Sequence, residues 1–455
     1  MECIEDDQRL LYLMKTKSPN RELVVITLII LGVTFSYYVN SILPRLVLLI
    51  FLLAFFFTLK GNKKIASLFI MYPFSYILKV YPDQFSFFTI CTIITSVTIL
   101  YEIRRITLES LLLLLSLILL TVPRVTQDTL TLYIEWLGQI LLLVLLFGTH
   151  KGNQILSKKT SYITYLVVGV FLSSSVALLF PDIIMIAGWS KNINIILETT
   201  ITKRFAGLLW DPAAFSQIIL LAQCLLLARV SKNKQNNSIA ILCIFLLFGL
   251  GYITLSKMYY LYSTFVWLLL VSISLKSLTA RFRVSLGRVV CLIVILCAVI
   301  ISLLFSLDNV ISFVSNILGS MLQRLRMGDF TTGRLEVQKH YLIHLTDSVP
   351  SFVFGYGMIS GKKLAELLNT FTSPENLLIE SLYLIGVAGT SILVLLMIWI
   401  FGKAVMMFDP LDYFALFMYV LTVFALPGLT SKSFSLILLL IFGAAFTKDK
   451  EMHCY

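Results

Sequence analysis

Apolar runs of about 20 residues recur along almost the whole chain, and the charged residues fall between them. A run of that length crosses the hydrocarbon layer as a helix rising 1.5 Å per residue. Inside lipid every backbone N–H and C=O has to be bonded within the protein, so a spanning segment is a helix or a strand of a closed barrel. Barrel strands alternate strictly over about 10 residues, and this sequence does not. Only 13% of the 455 residues are charged, about half the share in a soluble protein. The mean hydropathy is +0.93. The chain is therefore expected to be an all-α polytopic membrane protein with about 14 transmembrane helices.

The expected spans are 23–40, 42–59, 65–81, 85–101, 106–122, 130–147, 161–180, 206–228, 239–255, 257–275, 289–307, 376–401, 411–427 and 433–447. The run around Pro73 is among the weakest of them, because proline breaks a helix ladder. Residues 1–307 thus hold the first eleven helices, 308–374 a large loop, and 375–455 the last three.

The formal net charge is +12. In a soluble chain this would suggest a nucleic-acid partner; here loop lysines and arginines that fix topology account for it, and no nucleic acid is expected. With the N-terminus inside, the inner loops hold Lys60, Lys63, Lys64, Arg104, Arg105, Lys151, Lys158, Lys159, Arg229, Lys232, Lys234, Lys276, Arg281, Arg283, Arg288 and Lys403. The short outer loops hold fewer: Arg45, Lys79, Arg124, Lys191, Lys203, Arg204, Lys257 and Lys432. This asymmetry places both termini in the cytoplasm and the large loop outside. The acidic start (Glu2, Glu5, Asp6, Asp7) argues against a cleavable signal peptide. The seven cysteines show neither metal spacing nor a disulfide framework.

The large loop carries its own helical pattern. Val310, Ile311, Val314, Ile317, Leu318, Met321, Leu322 and Leu325 recur at helical spacing, which predicts an amphipathic helix on the membrane surface. A second helix is expected over about 333–346, capped by Thr331 or Thr332, and a third short one over 362–368. Loops of this length in compact proteins are usually functional.

Outer-side cations are the strongest functional signal. Arg204 precedes the eighth span in Lys203-Arg204-Phe205-Ala206-Gly207-Leu208-Leu209-Trp210-Asp211-Pro212. Arg334 opens the second loop helix, where a cation opposes the helix dipole and calls for a compensating partner. Lys257 follows Ser256 at an outer turn. Three such cations facing one cavity suit a diphosphate, since arginine binds phosphate oxygens bidentately and stays charged. Each also fits a plainer role as an interfacial or solvated cation. There is no Asp-x-Asp for a metal, so no metal or other cofactor is expected.

A base that accepts a hydroxyl proton is sought among Glu375, Glu380, His340 and His344. Glu375, where the chain re-enters the membrane, also suits a helix start. His340 and His344, one turn apart, have zinc spacing but no third ligand. Asp211 and Asn376 complete the candidates for substrate contact, with Lys257 and the two histidines. Glu109 and Glu135 are carboxylates within spans, expected to face the bundle interior.

Four local patterns together resemble the O-antigen polymerase and O-antigen ligase superfamily of bacterial membrane glycosyltransferases. They are Arg204, Gly207 and Pro212; the turn Ser256-Lys257; Gly333-Arg334 followed by Gly355-Tyr356-Gly357; and Glu375-Asn376 followed by Gly386 and Gly389. They cover about residues 200–395 and lie on the expected outer side. The family often has an asparagine shortly after the proline, where this chain has Ala213 and Ala214. Ligases typically have a histidine before the late asparagine; here it is Glu375, which favours a polymerase.

The resemblance implies an integral-membrane glycosyltransferase fold in the bacterial cytoplasmic membrane, with its active face outside. It implies a glycan on undecaprenyl diphosphate as substrate, membrane lipid as surroundings and a chain-length regulator protein as a further partner. It maps diphosphate binding onto Arg204 and Arg334. On this reading Arg204, Arg334 and Glu375 are the catalytic set and Lys257 assists. The rival readings are an O-antigen ligase and a lipid-linked glycan flippase. A flippase usually shows two related halves with short loops, and neither feature is present in the sequence.

Overall fold

The computed structural model describes residues 21–39, 41–80, 86–102, 106–126, 129–149, 159–186, 194–197, 200–209, 211–232, 238–280, 319, 334–357, 366, 368, 376–404 and 410–423. Two expected spans, 289–307 and 433–447, lie outside these residues, as do nearly all of the amphipathic helix over 310–325 and of the short one over 362–368.

In chain order the helices are α1 (Arg21–Phe35), α2 (Ile42–Thr58), α3 (Gly61–Met71), α4 (Phe87–Glu102), α5 (Leu108–Thr121), α6 (Leu130–Gly148), α7 (Lys159–Leu179) and the short α8 (Asp182–Ile186). A two-stranded antiparallel hairpin follows, β1 (Asn194–Leu197) and β2 (Thr200–Lys203). Then come α9 (Pro212–Lys232), α10 (Ser238–Tyr252), α11 (Lys257–Ala280), α12 (Arg334–Thr346), α13 (Val349–Phe354), α14 (Leu377–Ala404) and α15 (Pro410–Val423).

This is a helical, membrane-embedded protein. Among the described residues five helices are long and apolar enough to cross a bilayer, beginning at Arg21, Leu130, Tyr162, Pro212 and Leu377. Shorter apolar helices lie between them, such as Ile42–Thr58 and Phe87–Glu102. Their outward faces are apolar where a soluble helix is polar: Leu28, Leu43, Phe57, Leu119 and Leu268 are all exposed. Many polar residues are instead turned inward, with hydroxyls bonded to their own helix. Thr34 donates to the Ile30 carbonyl, Thr92 to that of Phe88 and Ser96 to that of Thr92. Such back-bonding lets a hydroxyl sit in a dry helix. Between helices, the Gln217 amide donates to Thr422 at 2.8 Å and the Tyr259 hydroxyl to Gln223 at 3.1 Å.

The bundle is built around α3. It packs against α1, α4 and α7. From α4 contacts run to α6, then α5, then α14; from α7 they run to α9, which is covered by α10, α11 and α15. Small residues permit the closest approach. At Gly169 on α7 a Cβ would lie 2.8 Å from the Ile70 carbonyl oxygen of α3.

Contacts between turns sort into two ends of the bundle. At one end the Arg45 guanidinium stacks 3.4 Å over Tyr37 and donates to the Val80 carbonyl. Phe35 meets Phe180 there. At the other end Lys63 pairs with Glu22, Arg229 donates to Thr164, and the Thr107 amide donates to the Gly148 carbonyl.

Two expected spans differ from a plain helix. The run 65–81 is only eleven residues of α-helix, Gly61–Met71. Pro73 cannot donate to the ladder, so the chain tightens into a 3-10 turn at Tyr72–Phe74. Helix α14 is broken at Gly386, whose φ is 67° and ψ −178°.

Candidate functional site

The hairpin delivers Arg204. Lys203, the last residue of β2, pairs with Asn194, and Arg204 follows it directly. The Arg204 Nε donates to the Thr254 carbonyl at 3.2 Å, and the next amide, Phe205, donates to the Ile253 carbonyl. Arg204 is thereby seated on the turn between α10 and α11, and Lys257 begins α11 three residues after Thr254. That turn is strained. Leu255 has φ +52°, a left-handed conformation that costs a non-glycine residue on the order of 1 kcal/mol. Strain of this kind persists only where its surroundings hold it, and it clusters at functional positions. The Leu255 side chain is buried, which supplies the hold. The first two patterns of the sequence thus come to one turn: Arg204 holds Thr254, two residues before Ser256 and three before Lys257.

After Arg204 the chain turns at Gly207, φ +57°, where a Cβ would meet the Phe215 ring at 2.9 Å. Asp211 then caps α9: its two carboxylate oxygens accept from the Ala213 and Ala214 amides at 3.0 and 3.2 Å. Pro212 occupies the first helical position, where its missing N–H is no loss. Asn376 plays the same part for α14, its Oδ1 accepting from Leu378 and Ile379. Both residues, read as substrate contacts, have a structural use in these caps.

The third and fourth patterns also meet. Helix α13 ends at Gly355, φ +76°. The following amides, Tyr356 and Gly357, donate to the Tyr383 and Leu384 carbonyls at 2.9 Å each. Those carbonyls lie just before the break in α14 at Gly386, where the helix ladder stops supplying partners. In a membrane an unbonded carbonyl costs several kcal/mol, and the loop backbone satisfies both. The approach is too close for side chains. A Cβ on Gly355 would fall 2.5 Å from the Leu384 oxygen and the Gly386 nitrogen; one on Gly386 would strike Val353 and Gly355.

Around this clip the loop helices are fixed by aromatic stacking. Tyr356 and Tyr383 stack at 4.6 Å, and the His344 ring lies 5.2 Å from Tyr356. The Tyr383 hydroxyl meets His344 Nδ1 at 3.0 Å, and Tyr356 donates to the His344 carbonyl. Helix α12 buries Val337, Tyr341 and Leu345 in the same cluster. His340 is exposed, whereas His344 is half-buried among the tyrosines, so the two do not share one environment.

Arg334 begins α12 in the backbone, as expected; its side chain and residue Glu375 lie outside the described residues. Glu380 is buried, one turn into α14. Glu109 does not face the interior: it is exposed in the first turn of α5 and accepts from Trp399 Nε1 at 3.0 Å. Glu135 is half-buried and accepts from Thr89 at 3.1 Å. Glu135 and Asp211 both lie within electrostatic reach of the Tyr76 phenol.

Arg124 had no assigned role beyond topology. Its Nη1 donates to the Gly355 carbonyl at 2.8 Å and its Nη2 to the Pro350 carbonyl at 3.4 Å. Compared with known proteins, the sequence matches no family model and no curated protein.

Proposed function

We propose that the protein is a repeat-unit polymerase of O-antigen or capsular polysaccharide, acting at the outer face of the bacterial cytoplasmic membrane. It has about 14 spans, both termini in the cytoplasm and the 308–374 loop outside. The donor is a growing glycan on undecaprenyl diphosphate and the acceptor is a hydroxyl of the next lipid-linked repeat. A chain-length regulator is a further partner on this reading.

The observation that carries it is the pairing of four distant patterns: Arg204 sits on the turn before Lys257, and Gly355-Tyr356-Gly357 is clipped to the break at Gly386. In the transfer, the acceptor oxygen attacks the anomeric carbon and the carbon–oxygen bond to the diphosphate breaks. Arg204 and Arg334 stabilise the departing charge, with Lys257 assisting. Glu375 takes the hydroxyl proton; Glu380, buried one turn on, is the comparison carboxylate.

Arg204→Ala and Arg334→Ala are each expected to abolish long chains while single repeats persist, read as glycan ladders from a deletion strain. Normal chain length from a well-expressed Arg334→Ala protein removes the proposed site. In the deletion strain itself, one repeat capped on the lipid core marks a lost polymerase. Free lipid-linked polymer marks a lost ligase, and repeats stranded on the inner leaflet a lost flippase.

A further inference from the structure

We propose that Arg124 is a positioning residue for the donor: it locks the clip, and the clip holds the helix that Arg334 opens. The inference rests on the polymerase reading above. Arg124 stands at the end of α5, in the 3-10 turn Val122–Arg124, and reaches both ends of α13. One guanidinium nitrogen holds the Gly355 carbonyl after α13 and the other the Pro350 carbonyl at its start. A planar fork with two carbonyls fixes orientation as well as distance, which a single ammonium does not. The fit extends to the Arg124 backbone, whose carbonyl oxygen would lie 2.7 Å from a Cβ on Gly357.

Helix α13 is therefore held on both sides, by Arg124 and by α14. The same clip carries the Tyr356–Tyr383 stack and, through it, His344 on α12. Helix α12 begins at Arg334 and has Val337, Tyr341 and Leu345 as its buried contacts. Release of Arg124 frees one side of α13 and loosens the Tyr356 arm, leaving α12 to the Tyr383–His344 hydrogen bond and those apolar contacts. An apolar face tolerates sliding and rotation far better than directed hydrogen bonds do. A cation at the tip of α12 would then lose its alignment with the diphosphate before it lost its charge.

The test uses the full-length protein in detergent with two readouts. Hydrogen exchange at the Tyr356 and Gly357 amides reports the clip directly, with exchange in α7 as the check on folding. Kinetics with a lipid-linked repeat report the donor. In Arg124→Ala, loss of charge-assisted hydrogen bonds should speed exchange at both amides by about tenfold or more. The KM for the lipid-linked donor should rise by about tenfold with kcat within about twofold. Arg124→Lys should restore part of both. Unchanged exchange in Arg124→Ala overturns the lock. Faster exchange with wild-type KM overturns the positioning role, and so does a loss confined to kcat. A wild-type protein that transfers no glycan sinks the polymerase reading and the donor role with it, while the exchange result still decides whether Arg124 holds the clip.

Discussion

The turn that seats Arg204 and the clip that seats the loop solve the same problem by opposite means. Both must fix irregular backbone at the end of a helical bundle, where carbonyls lose their helix partners. At the turn, one backbone pair, Phe205 with Ile253, is supplemented by a charged side chain: Arg204 captures the Thr254 carbonyl, and Leu255 accepts φ +52° with its side chain buried. At the clip, backbone comes to backbone: Tyr356 and Gly357 pair with Tyr383 and Leu384, and positive φ falls on Gly355, Gly357 and Gly386. The difference is one of distance. A guanidinium spans a gap, so the turn has room for a leucine. Direct pairing closes the gap, so Gly355, Gly357 and Gly386 have no room for a Cβ.

That contrast is broken most sharply at Gly386. Gly386→Ala puts a methyl group against the Val353 carbonyl and forces φ +67°, ψ −178°, a region open essentially to glycine alone. Neither neighbour is a flexible side chain that can move aside. We expect a loss on the order of 3 kcal/mol or more, seen as a Tm drop of several degrees or as failure to accumulate. A wild-type Tm would mean that the helix break is not held as described.

Leu255→Gly probes the turn with a smaller net effect, because two terms oppose. Glycine relieves the φ strain, worth on the order of 1 kcal/mol. It also removes a buried leucine, worth about 2–3 kcal/mol. Burial wins, so the variant is expected to lose about 1–2 kcal/mol. A stabilised variant would show that strain dominates at this turn.

The two regions were unequally legible in the sequence. The helices follow from apolar runs, and the shortening of α3 follows from Pro73. Arg204 and the Ser256-Lys257 turn stood out because fixed charge is rare in so apolar a chain. The break at Gly386 did not, since Tyr383, Leu384, Ile385 and Val387 read as continuous helix on either side. Arg124 was invisible as a clasp for a related reason. Its partners are the carbonyls of Gly355 and Pro350, and a carbonyl carries no residue identity for a sequence to display. Asp211 and Asn376 were visible but ambiguous, because the oxygen that caps a helix is the oxygen that binds a hydroxyl.

That ambiguity sets the smallest and most discriminating prediction, at Asp211. Its oxygens already accept from Ala213 and Ala214. If capping is its whole role, Asp211→Ala should cost about 1 kcal/mol and Asp211→Asn only a few tenths, since asparagine keeps one accepting oxygen. The asparagine variant should then melt within about 1 °C of wild type and make chains of normal length. The carboxylate also lies near the Tyr76 phenol and on the connector that carries Arg204, so charge and cap can be separated there. Short chains from Asp211→Asn at an unchanged Tm would show that the negative charge itself serves the transfer. The Arg204 turn would then extend through Gly207 to Asp211 as one functional surface, whereas the clip would remain a matter of backbone fit.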